Sequence, residues 1–228
     1  GSAKHDAKGI NIIVYGPVGT GKTEFCKALA KKSGLDLWAV GEADDEGGEP
    51  TRLERLASLR LAQRLANGRQ NVSILFDEAE DLLEQNSTGS AFGWNPYRRN
   101  GSKVHLNRVI EENPVPVLWT CNDIDSIEPA VLRRMTMAIE IRIPNSAVRE
   151  RIWKRVLSEN GVEVGNATTR RLALRYEAPP ALTATAARAA ALAGGGEREI
   201  GRTIEGLLQV LNVTSYPAGL GQDDFNFS

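Results

Sequence analysis

The stretch Gly16-Pro17-Val18-Gly19-Thr20-Gly21-Lys22-Thr23 leaves this 228-residue chain few folds to choose from. It satisfies G-x-x-x-x-G-K-[ST], and its flanks are the ones that pattern requires. Ile12-Ile13-Val14-Tyr15 before it is an apolar, β-branched run that reads as a buried strand. Glu24 to Lys31 after it reads as a helix ending near Gly34. Glycines let such a loop curl with its N–H groups turned inward around a polyphosphate. The N-terminus of the following helix adds partial positive charge. Gly16 to Glu24 is therefore the expected phosphate cradle. Lys22 is placed to reach the β- and γ-phosphates, and the Thr23 hydroxyl to ligate Mg²⁺.

Val72-Ser73-Ile74-Leu75-Phe76 reads as another buried strand, and it runs straight into Asp77-Glu78. Two carboxylates at the carboxyl end of a buried strand are costly unless used, and that edge is where open α/β sheets bind ligands. With a phosphate loop upstream, Asp77 fits the acid that holds Mg²⁺, and Glu78 fits a general base for an attacking water. An aspartate at a strand end also serves as a helix N-cap, so the upstream loop is what gives the pair its meaning. Leu37 to Val40, Val115 to Thr120 (ending at Cys121-Asn122) and Ala138 to Ile143 supply three further strands, the last an alternating edge strand before Pro144. Helices are expected over 51–67, 104–112 and 128–134. In the first of these, Leu53, Leu56, Leu59 or Leu61, and Leu65 recur at helical spacing, with arginines on a solvated face. Gly41 to Pro50 is acidic and glycine-rich; Gln85 to Lys103 is polar and contains Trp94 and Tyr97. Both read as loops. Five strands separated by helices imply a parallel sheet with helices on both faces.

Beyond Pro144 the strand pattern stops. Ala147 to Ser158, Thr168 to Tyr176, Pro179 to Ala193 and Glu197 to Asn212 read as four helices. The expected organisation is a nucleotide-binding core over 1–144 and a small helical domain over 145–228. A net charge of −1 gives nothing global to attract nucleic acid or an anionic membrane. No apolar run is long enough to span a bilayer. Cys26 falls in an expected helix and Cys121 in an expected strand, which fits a reduced, cytoplasmic protein. Gly1-Ser2-Ala3 reads as a cloning scar, and both ends read as cut from a longer protein.

The phosphate loop, the acidic pair, Thr120-Cys121-Asn122 closing the next strand, and Pro129-Ala130-Val131-Leu132-Arg133-Arg134-Met135 together resemble an AAA+ ATPase. The resemblance covers nearly the whole chain and is greatest to the AAA clade proper. It implies a P-loop NTPase of α/β class, a five-stranded parallel sheet flanked by helices and followed by a small four-helix lid. It implies ATP or ADP with Mg²⁺ as cofactors. Asn122 matches the sensor-1 asparagine, which orients the attacking water. Arg133 and Arg134 match the arginine fingers, and the compressed Leu-Arg-Arg-Met spacing resembles that of katanin and spastin. Such fingers act on a neighbouring subunit, so the match implies self-association, usually as a hexameric ring.

Two positions depart from the family pattern. Asp44-Asp45-Glu46-Gly47-Gly48-Glu49 carries no aromatic residue where many protein-threading members have one, leaving Trp94 or Tyr97 as substitutes. Ala178-Pro179-Pro180-Ala181-Leu182 holds no sensor-2 arginine, as is usual in the AAA clade proper. Asp224-Phe225 resembles the pair that closes many AAA modules. The leading expectation is an ATP-hydrolysing motor that remodels proteins or assemblies. A nucleic-acid AAA+ machine and a slowly hydrolysing, nucleotide-gated scaffold are the alternatives; the former should show a basic, groove-facing stripe, and the near-neutral charge and acidic loop argue against it.

Overall fold

Which strands lie in the middle of the sheet follows from composition. In the computed structural model, which describes residues 8–41, 50–83 and 106–215 with side chains to 210, β3 (Val72–Phe76) and β4 (Val117–Cys121) are buried along their whole length. Their apolar runs, broken only by the small polar Ser73 and Thr120, suit strands covered on both faces. β1 (Asn11–Tyr15), β2 (Asp36–Val40) and β5 (Met137–Glu140) complete a sheet of order β2-β3-β4-β1-β5, with every pair parallel. β5 is an edge strand, as its alternation implies, and ends at Glu140. Asp44 to Glu49, Trp94, Tyr97 and Asp224-Phe225 lie outside the described residues.

Successive side chains point to opposite faces, so each strand feeds two cores. Val14, Leu75 and Leu118 pack with Cys26 and the partly buried Phe25 and Leu29 of helix α1 (Lys22–Lys32). Ile13, Ile74, Phe76 and Trp119 face the other way, with Leu56 and Leu59 of α2 (Arg52–Ala66), Leu82 and Leu83 of α3 (Glu80–Leu83), and Ile110 of α4, helical over 106–111. The α2 N-terminus is fixed by a capping box: the Glu54 N–H donates to the Thr51 hydroxyl, and the Thr51 N–H to the Glu54 carboxylate at 2.7 Å. The expected leucine stripe is corrected here. Leu56, Leu59, Ala62, Gln63 and Ala66 are buried, whereas Leu53, Leu61 and Leu65 are 74%, 57% and 59% exposed. Alanine and glutamine occupy the seam because the helix lies close to the sheet, and the Gln63 amide donates to the Val109 carbonyl at 3.2 Å.

At the amino edge of the sheet sits a buried polar hub. Asn11 Oδ1 accepts from Trp119 Nε1 at 3.1 Å and Asn113 Nδ2 at 3.0 Å, while Asn11 Nδ2 donates to the Ile110 carbonyl at 2.8 Å. Alanine at position 11 strands Trp119 Nε1 and the Ile110 carbonyl, while Asn113 Nδ2 keeps the Ile10 carbonyl at 2.9 Å. Each orphaned group costs about 1–3 kcal/mol, so Asn11→Ala is expected to lose about 3 kcal/mol in urea unfolding; a loss below about 1 kcal/mol contradicts the hub.

The chain divides between Arg142 and Ile143 into two compact units. The second holds α6 (Ser146–Glu159), α7 (Asn166–Arg175), α8 (Pro180–Leu192) and α9 (Glu197–Ser215); a short α5 (Pro129–Leu132) precedes it in the first. Trp153 and Leu157 of α6, Leu172 of α7, Ala186, Ala187 and Ala190 of α8, and Ile200 and Ile204 of α9 form its core. The alanines let α8 pack closely against both α6 and α9. Arg149 is buried there, its guanidinium donating to the Ala173 and Pro144 carbonyls. Among the described residues no helix is long and apolar enough to cross a membrane.

Candidate nucleotide site

Register assembles the candidate site. Tyr15 lies opposite Cys121 and Phe76 opposite Trp119. The next residues out, Gly16, Asn122, Asp77 and Thr120, therefore meet at the carboxyl edge where β1 and β4 adjoin. The chain leaves β1 towards β2 and passes β5 to the other side, so this is the switch point of the sheet.

The loop between β1 and α1 requires its glycines. Gly16 has φ 142°, and a Cβ there would lie 2.1 Å from the Ile141 carbonyl oxygen. The Ile141 N–H in turn donates to Tyr15 O at 2.7 Å, so pairing of β5 on β1 forbids any side chain at 16. Gly21 has φ 94° and turns the chain into α1. Pro17 and Val18 are exposed on the loop, and the Thr20 hydroxyl donates to Pro17 O at 2.8 Å, closing it.

Lys22 folds back into the loop. Its Nζ donates to Gly16 O at 2.8 Å, Pro17 O at 3.1 Å and Asn122 Oδ1 at 2.8 Å. Burial pushes the ammonium below the ordinary lysine range, and the carboxylates of Glu80, Asp77 and Glu78 pull it back up. The Thr23 hydroxyl donates to the Asp77 carboxylate, 2.8 Å from Oδ2. The Thr120 hydroxyl donates to Asp77 Oδ1 and accepts from the Glu78 N–H at 2.9 Å. Glu78 is exposed, and the Asn122 N–H donates to Glu80 Oε1. Glu24 is exposed with its carboxylate on Lys27. The site thus joins Lys22, Thr23, Asp77, Glu78 and Asn122, which the sequence singled out. It adds Glu80, which the sequence reading passed over although it is the third acid in four residues.

The arginines separate. Arg134 is tied within its own unit, Nε to the Glu111 carboxylate and Nη1 to Ala130 O. Arg133 is exposed and forms no side-chain hydrogen bond or ion pair among the described residues. Arg55, expected on a solvated helix face, instead turns to the acidic strand end, and Arg52 donates to Leu82 O at 2.9 Å.

The donor set suits a magnesium nucleotide. Among the described residues no group of three or more His, Cys, Asp or Glu is arranged to hold a metal alone. Thr23 and Asp77 offer only hard oxygens, as befits Mg²⁺ that keeps waters and phosphate among its ligands.

Beneath the loop, Cys26 and Cys121 are buried and free. Burial pushes both thiols up to about 12, with Asp77 adding to Cys26 and Glu80 to Cys121. Above pH 9.0 the unfolded chain sheds thiol protons that the folded chain keeps. The unfolded state then binds fewer protons, so stability falls with rising pH, by up to about 1.4 kcal/mol per pH unit for each thiol. Comparing unfolding with that of Cys26→Ala/Cys121→Ala isolates this slope; a pH-independent difference contradicts it.

The model of the family described as "ATPase family associated with various cellular activities (AAA)" matches residues 12–145. An "AAA ATPase forming ring-shaped complexes" of Bifidobacterium dentium is 30% identical over 161 residues, covering 65% of this chain and 30% of that one. An "Outer mitochondrial transmembrane helix translocase" of Danio rerio is 31% identical over 160 residues, covering 68% of this chain and 40% of that one. This chain thus spans about a third of the length of these curated relatives. The crystal structure of the "FIGL-1 AAA domain in complex with ADP" superposes with a TM-score of 0.62 at 19% identity, covering 88% of this chain and 65% of that one, and so shares the fold.

Proposed function

Since the chain belongs to the AAA family of ATPases, we propose that it binds Mg-ATP at the carboxyl edge of its sheet and hydrolyses it to ADP and phosphate as the motor module of a ring. The observation that carries this reading is the hydrogen-bonded meeting of Lys22, Thr23, Asp77 and Asn122 from three separate segments, with Glu78 beside them. The loop N–H groups and Lys22 bind the phosphates. Thr23 and Asp77 hold Mg²⁺, which supplies neutralising charge on the phosphate oxygens. Glu78 takes a proton from a water that Asn122 orients. The water oxygen bonds to the γ-phosphorus as the bond to the β–γ bridging oxygen breaks, and ADP leaves with that oxygen. The helical unit serves as the lid. The free energy released is spent on remodelling a protein or protein assembly. The ring-forming description of the Bifidobacterium relative supports self-association.

Arg133, exposed and uncommitted among the described residues, is the finger that completes a neighbour's site; Arg134 braces it through Glu111 and Ala130. Hydrolysis per protomer is therefore expected to rise with protein concentration. Mixing Glu78→Gln with Arg133→Ala protomers is expected to restore turnover, because a mixed interface pairs an intact finger with an intact base. A finger supplied in trans is worth about 10³–10⁵ in rate. Concentration-independent turnover without rescue, under proven subunit exchange, contradicts the ring.

A further inference from the structure

Building on the hydrolytic reading above, we infer that Arg55 is a positioning residue that holds the backbone of Glu78. Its side chain is 12% exposed and its guanidinium lies 4.5 Å from the centre of the Phe76 ring. The fork is committed to the strand end. Nη1 donates to the Glu78 carbonyl at 3.0 Å and to the Asp81 carboxylate, and Nη2 donates to the Asp77 carbonyl. One rigid, planar group therefore grips both carbonyls of the acidic pair and the first turn of α3.

What it grips needs gripping. Among the described residues Glu78 is the one non-glycine with positive φ, at 50°. A left-handed glutamate persists only where its surroundings fix it. The Thr120 hydroxyl fixes the Glu78 N–H at 2.9 Å, and Arg55 fixes the carbonyls on either side of the residue's own backbone turn. That turn is what lifts the Glu78 carboxylate away from the buried sheet, where Asp77 stays, and leaves it exposed. The space is closely built: a Cβ at Gly41, which follows β2, would lie 3.2 Å from Arg55 Nε and 3.2 Å from the Phe76 ring. Arg55 reaches the two carbonyls through two different nitrogens of one planar fork, a geometry that lysine's single nitrogen does not reproduce, so lysine is no equivalent. Pairing with Asp81 alone would need neither the fork nor the ring stack. The two peptide carbonyls are the contacts that tie this side chain to the direction of Glu78.

Arg55→Met keeps the stem over Phe76 and removes the fork; Arg55→Lys keeps the charge. Displacing a reacting group by about 1 Å costs on the order of 100-fold, so Arg55→Met is expected to lower kcat by about 10- to 100-fold. KM for ATP is expected to stay within about threefold, since the loop and Lys22 are untouched. Arg55→Lys is expected to recover only part of the loss. In the Glu78→Gln background, the Arg55→Met step is expected to cost little in single-turnover cleavage, because the base it positions is gone. A wild-type kcat in Arg55→Met, a raised KM with kcat unchanged, or an equal loss in both backgrounds overturns the inference; the last assigns Arg55 a structural role only. If Glu78→Gln itself turns over at the wild-type rate, the reading of Glu78 as the base fails. If Glu78→Gln is slow while Arg55→Met is not, that reading stands and Arg55 alone is rejected.

Discussion

Glu78→Gln is expected to bind ATP as tightly as the unaltered chain and to cleave it about a hundred- to ten-thousand-fold more slowly. Glutamine matches glutamate in size and leaves the backbone contacts of position 78 in place, since Thr120 and Arg55 hold only main-chain atoms there. Lys22, Thr23 and Asp77 lie on other contacts and keep their partners. What is lost is a carboxylate able to take a proton from water. Single-turnover phosphate release reads the step directly. Cleavage at the wild-type rate would remove Glu78 from the mechanism, and a matching loss of affinity would make it a binding residue instead.

Lys22→Ala is expected to abolish nucleotide binding at concentrations that saturate the unaltered chain. The ammonium joins the loop carbonyls of Gly16 and Pro17 to Asn122, so its removal takes away both the phosphate's cation and the tie between β1 and β4. Truncating one partner of a buried charged contact costs about 2–5 kcal/mol, which is roughly 30- to several-thousand-fold in affinity. Burial already destabilises the ammonium, as the lowered pKa records; a polyphosphate supplies the opposite charge that reverses this. Isothermal titration with Mg-ADP checks it, and an unchanged Kd contradicts the assignment.

The sequence made the strands legible because the parallel sheet buries apolar runs whole, and β3 and β4 read as nothing else. It made the phosphate loop legible because glycine spacing is a backbone requirement: Gly16 faces the Ile141 carbonyl, and no other residue fits. What escaped was decided by contacts distant in sequence. Arg55 and Arg60 look alike in a helix pattern, and only the register of α2 against β3 turns the former onto Asp77 and Glu78. Leu61 and Leu65 obey the expected spacing yet face outward, because the close helix–sheet seam takes Ala62 and Ala66. Arg133 and Arg134 are neighbours in one motif, but Glu111, 23 residues from Arg134, claims the second. Glu80 gained its place from the Asn122 N–H, 42 residues away.

The most direct test of the central claim is the identity of the nucleotide each protein holds after incubation with Mg-ATP and rapid desalting, read by acid extraction and chromatography. The unaltered chain is predicted to yield ADP, Glu78→Gln to yield ATP, and Lys22→Ala to yield neither. ADP in the Glu78→Gln protein at the wild-type level, or an unaltered chain that retains no nucleotide, would contradict a site that binds through Lys22 and hydrolyses through Glu78.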